Sequence, residues 1–276
     1  MKIALQLYSI RDEVEKDMDK ALGAVKAMGY DYVEFAGYYG KSAAEVKALL
    51  DKHGLVGLSV HQMPSIFEEE GQKAVDYIKE IGLEYAAIPF YPLAELQDNF
   101  EQVVASFTKV GELLKVNGIK LLYHNHDFEF NKIGDAYILD KLFASVPEEL
   151  MNPQIDVCWV RYAGLDPVEY IRKYKGRIEV LHFKDYICTN PNGEPVYELV
   201  GQEAEPKTAS REESGFAFRS LGDGVQDMPA LVAVAKEVGA SILVVEQDES
   251  LNRPAMESAK RSLDCLKGLL GECKTC

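Results

Sequence analysis

Residues 121–130 read LLYHNHDFEF, which places His124, Asn125, His126, Asp127 and Glu129 within six positions, directly behind an apolar run. Imidazoles and carboxylates bind divalent cations and move protons, so the segment belongs where such chemistry is useful. Three other apolar runs end the same way: PQIDVCWV offers Asp156, IEVLHFKD offers His182 and Lys184, and SILVVEQD offers Glu246 and Asp248. Side chains alternate along a strand. His124 and His126 are therefore expected on one face, as are Asp156 and Cys158, His182 and Lys184, and Glu246 and Asp248. One ligand from each strand gives the set His124, Asp156, His182 and Glu246. Two imidazoles and two carboxylates suit Mn²⁺, Mg²⁺, Co²⁺ or Zn²⁺, and the lack of a thiolate argues against a purely structural zinc site. A lone His or Asp at a strand end more often caps a loop. Four at one end of one fold are most simply explained by a shared cation, because buried charges must be paired.

Such convergence requires strands that run parallel and end together. Eight short apolar or β-branched runs recur with helical stretches between them: KIALQLYS, YVEFAG, LVGLSVH, YAAIPFY, IKLLYHNH, PQIDVCWV, IEVLHFKD and SILVVEQD. This is the pattern of parallel strands joined by crossover helices. Between the first two, Met18, Ala21, Leu22, Val25 and Met28 recur at helical spacing, and Gly29 stops the helix. An apolar helix closed by glycine returns at Gly54, Gly82, Gly118 and Gly239. The repetition predicts an α/β fold, a single (β/α)₈ TIM barrel domain over residues 1–276, rather than an open doubly wound sheet. LYSIRDEVEK, after the first strand, also lacks the glycines of a dinucleotide fingerprint. In a barrel of this kind the active site lies at the carboxyl ends of the strands, where the four candidate ligands fall. The stretch from about 187 to 226, rich in Gly, Glu, Ser and Pro, breaks the rhythm and is expected to be a lid-like insertion.

At 276 residues and 47% hydrophobic, the chain is long enough for one large core. Acidic residues outnumber basic ones by 45 to 30, and the resulting charge of −15 repels phosphate backbones and anionic lipid, so neither nucleic acid nor membrane is expected as a partner. The opening MKIALQLYSI is too short to span a bilayer and carries no cleavage pattern, so it reads as a first strand of a cytoplasmic protein. Five irregularly spaced cysteines do not make a disulfide framework. Cys273 and Cys276, in CKTC, read as exposed thiols on a frayed terminus, and Cys158 as a small core residue inside a strand.

YHNHDFEF, IDVCW, HFKD, RSLGDG and VVEQD come in the order and at about the spacing seen in the xylose isomerase-like TIM barrels. That superfamily of sugar phosphate isomerases and epimerases also holds inosose dehydratases, and the chain resembles it from QLYS to VVEQD. In the family a metal is held by a Glu, an Asp, a His and a second Glu from successive strands. The matching positions here are His124, Asp156, His182 and Glu246, with His124 in place of the first carboxylate, as in inosose dehydratase-like members. Glu129 could supply a carboxylate if its loop folds back, but it is expected to be a solvated loop residue. The resemblance implies that Lys184 holds a developing oxyanion, the plainer alternative being an ion pair with Asp185 or Asp156, and that Arg219, three residues before GDG, binds substrate oxygens. His126 is placed to bond a substrate hydroxyl or to transfer a proton, or else to orient His124. Trp159 and Tyr8, with Phe90 and Tyr91, could wall the carbon face of a sugar, although barrel aromatics are often plain core. His61 and Glu34 could extend the site, and His53, near a helix end, is expected to be structural.

The expected function is that of a divalent-metal-dependent sugar isomerase or epimerase, acting by proton transfer next to a carbonyl through a metal-stabilised enediolate. With His124 replacing a glutamate, the symmetric pair of carboxylates on opposite faces of the substrate is lost. A lyase of the same superfamily is therefore the close alternative: a keto-cyclitol or keto-sugar dehydratase, or an enzyme cleaving a 3-keto-glycoside. A sugar-binding barrel without turnover is a reading of another class. The DNA-repair endonuclease that shares the fold is disfavoured by the acidic charge. Only Lys184 and Arg219 are placed to meet a phosphate, so the sugar or cyclitol substrate is expected to be unphosphorylated, and a homo-oligomer or hetero-oligomer is compatible with the chain.

Overall fold

Runs such as YAAI, VLHF and ILVV have no face for water, and every residue in them is buried. Strands buried on both sides belong to parallel sheets covered by helices. The computed structural model describes residues 1–189 and 215–271. Its eight long-sheet strands are β1 (Lys2–Gln6), β2 (Tyr32–Phe35), β3 (Val56–His61), β4 (Tyr85–Ile88), β5 (Lys120–His124), β6 (Met151–Asp156), β7 (Val180–Phe183) and β8 (Ile242–Val245). Each pairs in parallel with the next, and β8 pairs with β1, so the sheet closes into the expected barrel.

The crossover helices bury the stripes that their periodicity marks. The helix Met18–Met28 buries Met18, Ala21, Leu22 and Val25, and Gly29 ends it with φ of 102°, a left-handed turn that glycine makes without steric cost. Helices Ala43–His53, Gln72–Ile81 and Met228–Val238 stop in the same way. The main core lies between these helices and the outer faces of the strands.

Inside the barrel the side chains form two zones. The lower one is apolar, with Ala4, Leu58, Tyr85, Ala87, Leu122, Val180, Ile242 and Val244 packed together. Two residues further along the strands the interior turns polar: Gln6, Glu34, Gln154, His124 and His182 are all buried. On β3 the pairing register with β2 shifts between Val33 and Glu34, so that Glu34 faces Ser59 rather than Leu58. This bulge lets consecutive residues, Leu58 and Ser59, join the apolar zone and the polar zone respectively.

Three expectations are corrected or bounded here. PQIDVCWV is not strand throughout: β6 stops at Asp156, whose carboxylate accepts the Cys158 amide at 2.8 Å and starts the helix Val157–Tyr162. Asp156 and Cys158 therefore do not share a strand face, although Cys158 is a fully buried core residue as expected. The lid-like insertion lies largely outside the described residues. Its described ends, Asp185–Cys188 and Phe216–Arg219, pair as an antiparallel hairpin. Cys273 and Cys276 also lie outside the described residues. Among the described residues no helix is long and apolar enough to cross a membrane.

Candidate functional site

The parallel register brings the ends of β5 to β8 to one level, with Asp156 opposite His182 and Glu246 one residue past β8. His124, Asp156, His182 and Glu246 are all buried, and each offers a ligand atom within 4.8 Å of the other three. His124 Nε2 lies 3.7 Å from Asp156 Oδ2 and 4.0 Å from Glu246 Oε2, and His182 Nδ1 lies 2.9 Å from Glu246 Oε2. Ligands bonded to one cation at about 2.0–2.2 Å are separated by about 3–3.5 Å, so this spacing is close to that of a coordination shell.

Lys184, one residue past β7, is the fifth member. Its Nζ lies 3.1 Å from Asp156 Oδ2, 3.0 Å from Glu246 Oε2 and 2.9 Å from Asp248 Oδ1, and it is 1% exposed. The plainer alternative for this lysine is thus half met: Asp156 is a partner, but Asp185 is not. Asp185 accepts the backbone amides of Tyr186, Gly222, Gly224 and Gln226 at 2.9–3.1 Å. The GDG loop wraps around that carboxylate, and a Cβ on Gly224 would collide with it.

Burial works against the charge of Lys184, yet Asp156, Asp248 and Glu246 hold its pKa well above the ordinary lysine range. Burial likewise opposes a charge on His182, but Glu34 and Glu246 on its two sides raise it to about 10. Glu246 and Glu34 resist burial and stay well below the carboxylate range, Glu246 chiefly through Lys184 and His182, and Glu34 through His61 and His182. Asp156 goes the other way: burial lifts it to about 6, and Glu246 and Asp248 add to the rise against Lys184. Burial, helped by His182 for His124 and by Lys184 for His126, keeps both imidazoles neutral.

These groups fit a divalent cation. Among the described residues, the carboxylates of Glu34, Asp156, Glu246 and Asp248 gather around the Lys184 ammonium and the His182 imidazole, so acidic groups outnumber basic ones there. Asp156 Oδ2 is buried and accepts no well-directed hydrogen bond among the described residues, meeting only Lys184 Nζ at 3.1 Å and His124 Nε2 at 3.7 Å, so it has lone pairs to offer a cation. Nitrogen and oxygen donors without thiolate match Mn²⁺, Mg²⁺, Co²⁺ or Zn²⁺ and do not choose among them.

The remaining expected residues spread around this centre. The His126 ring lies 5.2 Å from that of His124 and 5.6 Å from that of Trp159. Trp159 is buried rather than presented as an open wall. It stacks on Phe216 at 5.9 Å, meets Phe218 edge-on at 5.8 Å, and lies 5.4 Å from Lys184 Nζ, so it backs the lysine with an aromatic face. Phe90 lies 6.4 Å from His126, while Tyr91 turns away onto Phe107. Tyr8 stacks under the Arg11 guanidinium at 4.4 Å. Arg219 ends the hairpin opposite Asp185 and donates Nη1 to the Phe218 carbonyl at 2.8 Å. His53 approaches Asp19 at 2.6 Å in the structural role expected of it.

Glu129 is the clear misreading. The short 3₁₀ turn Phe128–Phe130 folds it inward, where it is fully buried and accepts the Tyr123 hydroxyl and the His126 amide at 2.8 Å each. Burial raises it to about 8. It belongs to neither group of potential ligands among the described residues, His124 with Asp156, His182 and Glu246, or His61 with His124 and His182. Sequence reasoning also passed over Gln6, Ser59 and Gln154, which surround Glu34. The available signal was a polar residue on the inward phase of an otherwise apolar strand, as in KIALQ.

A closed (β/α)₈ barrel with two histidines, two carboxylates and a buried lysine at the carboxyl ends of its strands defines an enzyme-like barrel suited to a metal and a small polar substrate. The chain belongs to the xylose isomerase-like TIM barrel family, whose sequence profile matches residues 22–269. An inosose dehydratase of Geobacillus kaustophilus is 24% identical over 264 residues, covering 86% of this chain and 82% of that protein. An inosose dehydratase of Clostridium botulinum is 27% identical over 164 residues, 57% of this chain, and that match spans about half, 51%, of the relative. Among solved structures, a sugar phosphate isomerase/epimerase from Parabacteroides distasonis superposes with a TM-score of 0.76 at 24% identity, over 96% of this chain and 93% of that one. At that identity the superposition speaks for the fold alone. The curated relatives named here are inosose dehydratases.

Proposed function

We propose that the protein is a metal-dependent lyase acting on a keto-sugar or keto-cyclitol, removing the proton beside the carbonyl and expelling an oxygen substituent from the next carbon as water or an alcohol. The observation that carries this reading is the imidazole of His124 in a set that otherwise keeps its carboxylates. Proton transfer on both faces of one carbon needs two matched acid–base groups. The additional carboxylate nearby in sequence, Glu129, is turned onto Tyr123 and His126. Elimination needs only one proton acceptor and one group to receive the developing charge. The inosose dehydratases among the relatives support the same outcome.

His124, Asp156, His182 and Glu246 would hold the cation, which when bound supplies Lewis-acid polarisation of the substrate carbonyl or hydroxyl oxygens. The neutral His126 imidazole accepts the proton from the carbon beside the carbonyl. Lys184, held as an ammonium, donates to the oxygen on which charge develops. The C–H electron pair forms the new C=C bond, the C–O bond to the substituent breaks, and the proton on His126 passes to the departing oxygen, so the products are an enone and water or an alcohol. Burial of Trp159, Phe216 and Phe218 behind Lys184 keeps water from that side.

Isomerase or epimerase chemistry is the second reading and shares the first step. It is favoured by the presence of two nitrogen groups, His126 and Lys184, just past the ends of β5 and β7, either of which could return a proton to carbon. Incubation with Mn²⁺ and a panel of keto-cyclitols and 3-keto-glycosides in D₂O separates the two by NMR and mass spectrometry. The expected result is an enone with release of water or alcohol; isomers bearing solvent deuterium, with the substituent retained, would replace the lyase reading with the second. Glu246→Gln is expected to lower turnover by at least about 10²–10³-fold, whereas unchanged product formation would point to a barrel without metal-dependent turnover.

A further inference from the structure

One buried charge has no part in the chemistry above. Glu34, on β2, is 0% exposed, and its two oxygens draw contacts from four other strands. Oε1 accepts from Gln6 Nε2 on β1 at 2.8 Å and lies 3.1 Å from His61 Nε2 on β3 and 2.7 Å from His182 Nε2 on β7. Oε2 accepts from Gln154 Nε2 on β6 at 2.7 Å and from the Ser59 hydroxyl on β3. Gln154 also meets His61 at 2.9 Å, so the shell is closed on itself.

A buried carboxylate of this kind adds little net stability, since a well-packed apolar residue serves as well or better. Its presence therefore asks for a reason other than stability. The contact with His182 is short but not well directed as a hydrogen bond. Even so, two lone pairs cannot sit 2.7 Å apart inside a protein without strong repulsion, so Nε2 must be the nitrogen that carries a proton. The opposite nitrogen, Nδ1, makes a hydrogen bond with Glu246 Oε2 at 2.9 Å, and the proton shared there is the one that a cation held by both groups would displace. An imidazole whose proton is fixed on one nitrogen presents its lone pair from the other.

We propose that Glu34 is a positioning residue for the metal centre: by keeping the proton of His182 on Nε2, it aims the Nδ1 lone pair at the point shared with His124, Asp156 and Glu246. The assignment rests on the metal reading of the site and is independent of whether the product arises by elimination or isomerisation. It makes β2, which supplies no ligand, part of the ligand machinery.

Titration of the apoprotein with Mn²⁺, followed by the EPR signal of the free ion, tests it. Glu34→Gln, with unchanged circular dichroism, is expected to bind Mn²⁺ about 10–100-fold more weakly. In the Zn²⁺-loaded protein, long-range ¹H–¹⁵N spectra should show His182 as a single tautomer protonated on Nε2, and the variant should lose that signature. Ser59→Ala, which touches only the far oxygen, is expected to keep the wild-type affinity; an equal loss there would make the network merely structural and overturn the assignment. Wild-type Mn²⁺ affinity and tautomer in Glu34→Gln would also overturn it. Should that variant fail to fold, Glu34→Asp, which keeps the charge but withdraws it from His182, takes its place with the same expected loss, and unchanged affinity there is equally fatal. If the wild type itself takes up no divalent ion, the metal centre fails and this role with it.

Discussion

The first and second halves of the barrel turn the same kinds of residue inward, yet they reach opposite electrostatic states. On β2, in the first half, a single carboxylate, Glu34, is met by amides, a hydroxyl and imidazoles from β1, β3, β6 and β7 until its lone pairs are filled. Around β5 to β8 Asp156, Glu246 and Asp248 crowd one ammonium, and Asp156 is pushed up to about 6, chiefly by burial and then by its like-charged neighbours. The first arrangement is closed to any newcomer. The second is the place where, under our proposal, a cation binds. Whether a buried polar cluster is scaffold or site therefore follows from the balance of donors and acceptors, not from how many polar residues it holds.

The sharpest way to break this comparison is Lys184→Met. In the second half it removes the group proposed to meet developing charge and leaves three carboxylates without their shared ammonium. Turnover is expected to fall by about 10²–10³-fold, and stability by about 3–5 kcal/mol, read from steady-state kinetics and from chemical denaturation. A variant that keeps its turnover would return Lys184 to an ion pair and nothing more.

Glu129 is a further buried carboxylate, outside both sets, against which the rule can be sharpened. Its pKa in the fold, about 8, stands above its ordinary value of 4.5. Protons are therefore bound more tightly in the folded state, so this contribution to stability is fully present below about pH 4.5 and is lost as pH rises through about 8. The change is on the order of 5 kcal/mol at most. Thermal midpoints of the wild type should fall across that window, and Glu129→Gln should flatten the slope; parallel slopes would show that Tyr123 and the His126 amide hold the carboxylate ionised in the fold.

The smallest effect is expected in the closed half. Gln6→Leu removes one donor from Glu34 and should cost about 1–3 kcal/mol of stability while leaving Mn²⁺ affinity at the wild-type value. A loss of metal binding larger than that of Glu34→Gln would show that the two halves are not separable in the way described.

The barrel and its four candidate ligands were legible in the chain because they depend on short-range rules. A two-residue period assigns His124 and His182 to inward phases, a helical period ending in glycine marks each crossover, and the carboxyl ends of parallel strands fall at one level whatever the loops do. The family resemblance rested on the same short segments. Other features were settled by contacts that the strand and helix periods do not encode, some local and some far away in sequence. The stop of β6 at Asp156 depends on the carboxylate finding the Cys158 amide, and on the register with β7. The burial of Glu129 depends on a turn folding onto Tyr123. Glu34 is joined to Gln6 from 28 residues away and to Gln154 from 120 residues away, and Lys184 finds Glu246 and Asp248 across the β7–β8 junction instead of its chain neighbour Asp185.

The amino-acid sequence thus determined which side chains could enter the barrel, since that follows from spacing along one strand. Only the closed tertiary structure decided which of them would satisfy one another and which would be left facing a common point, because partners for a buried charge are chosen across strands, by geometry that no single strand contains.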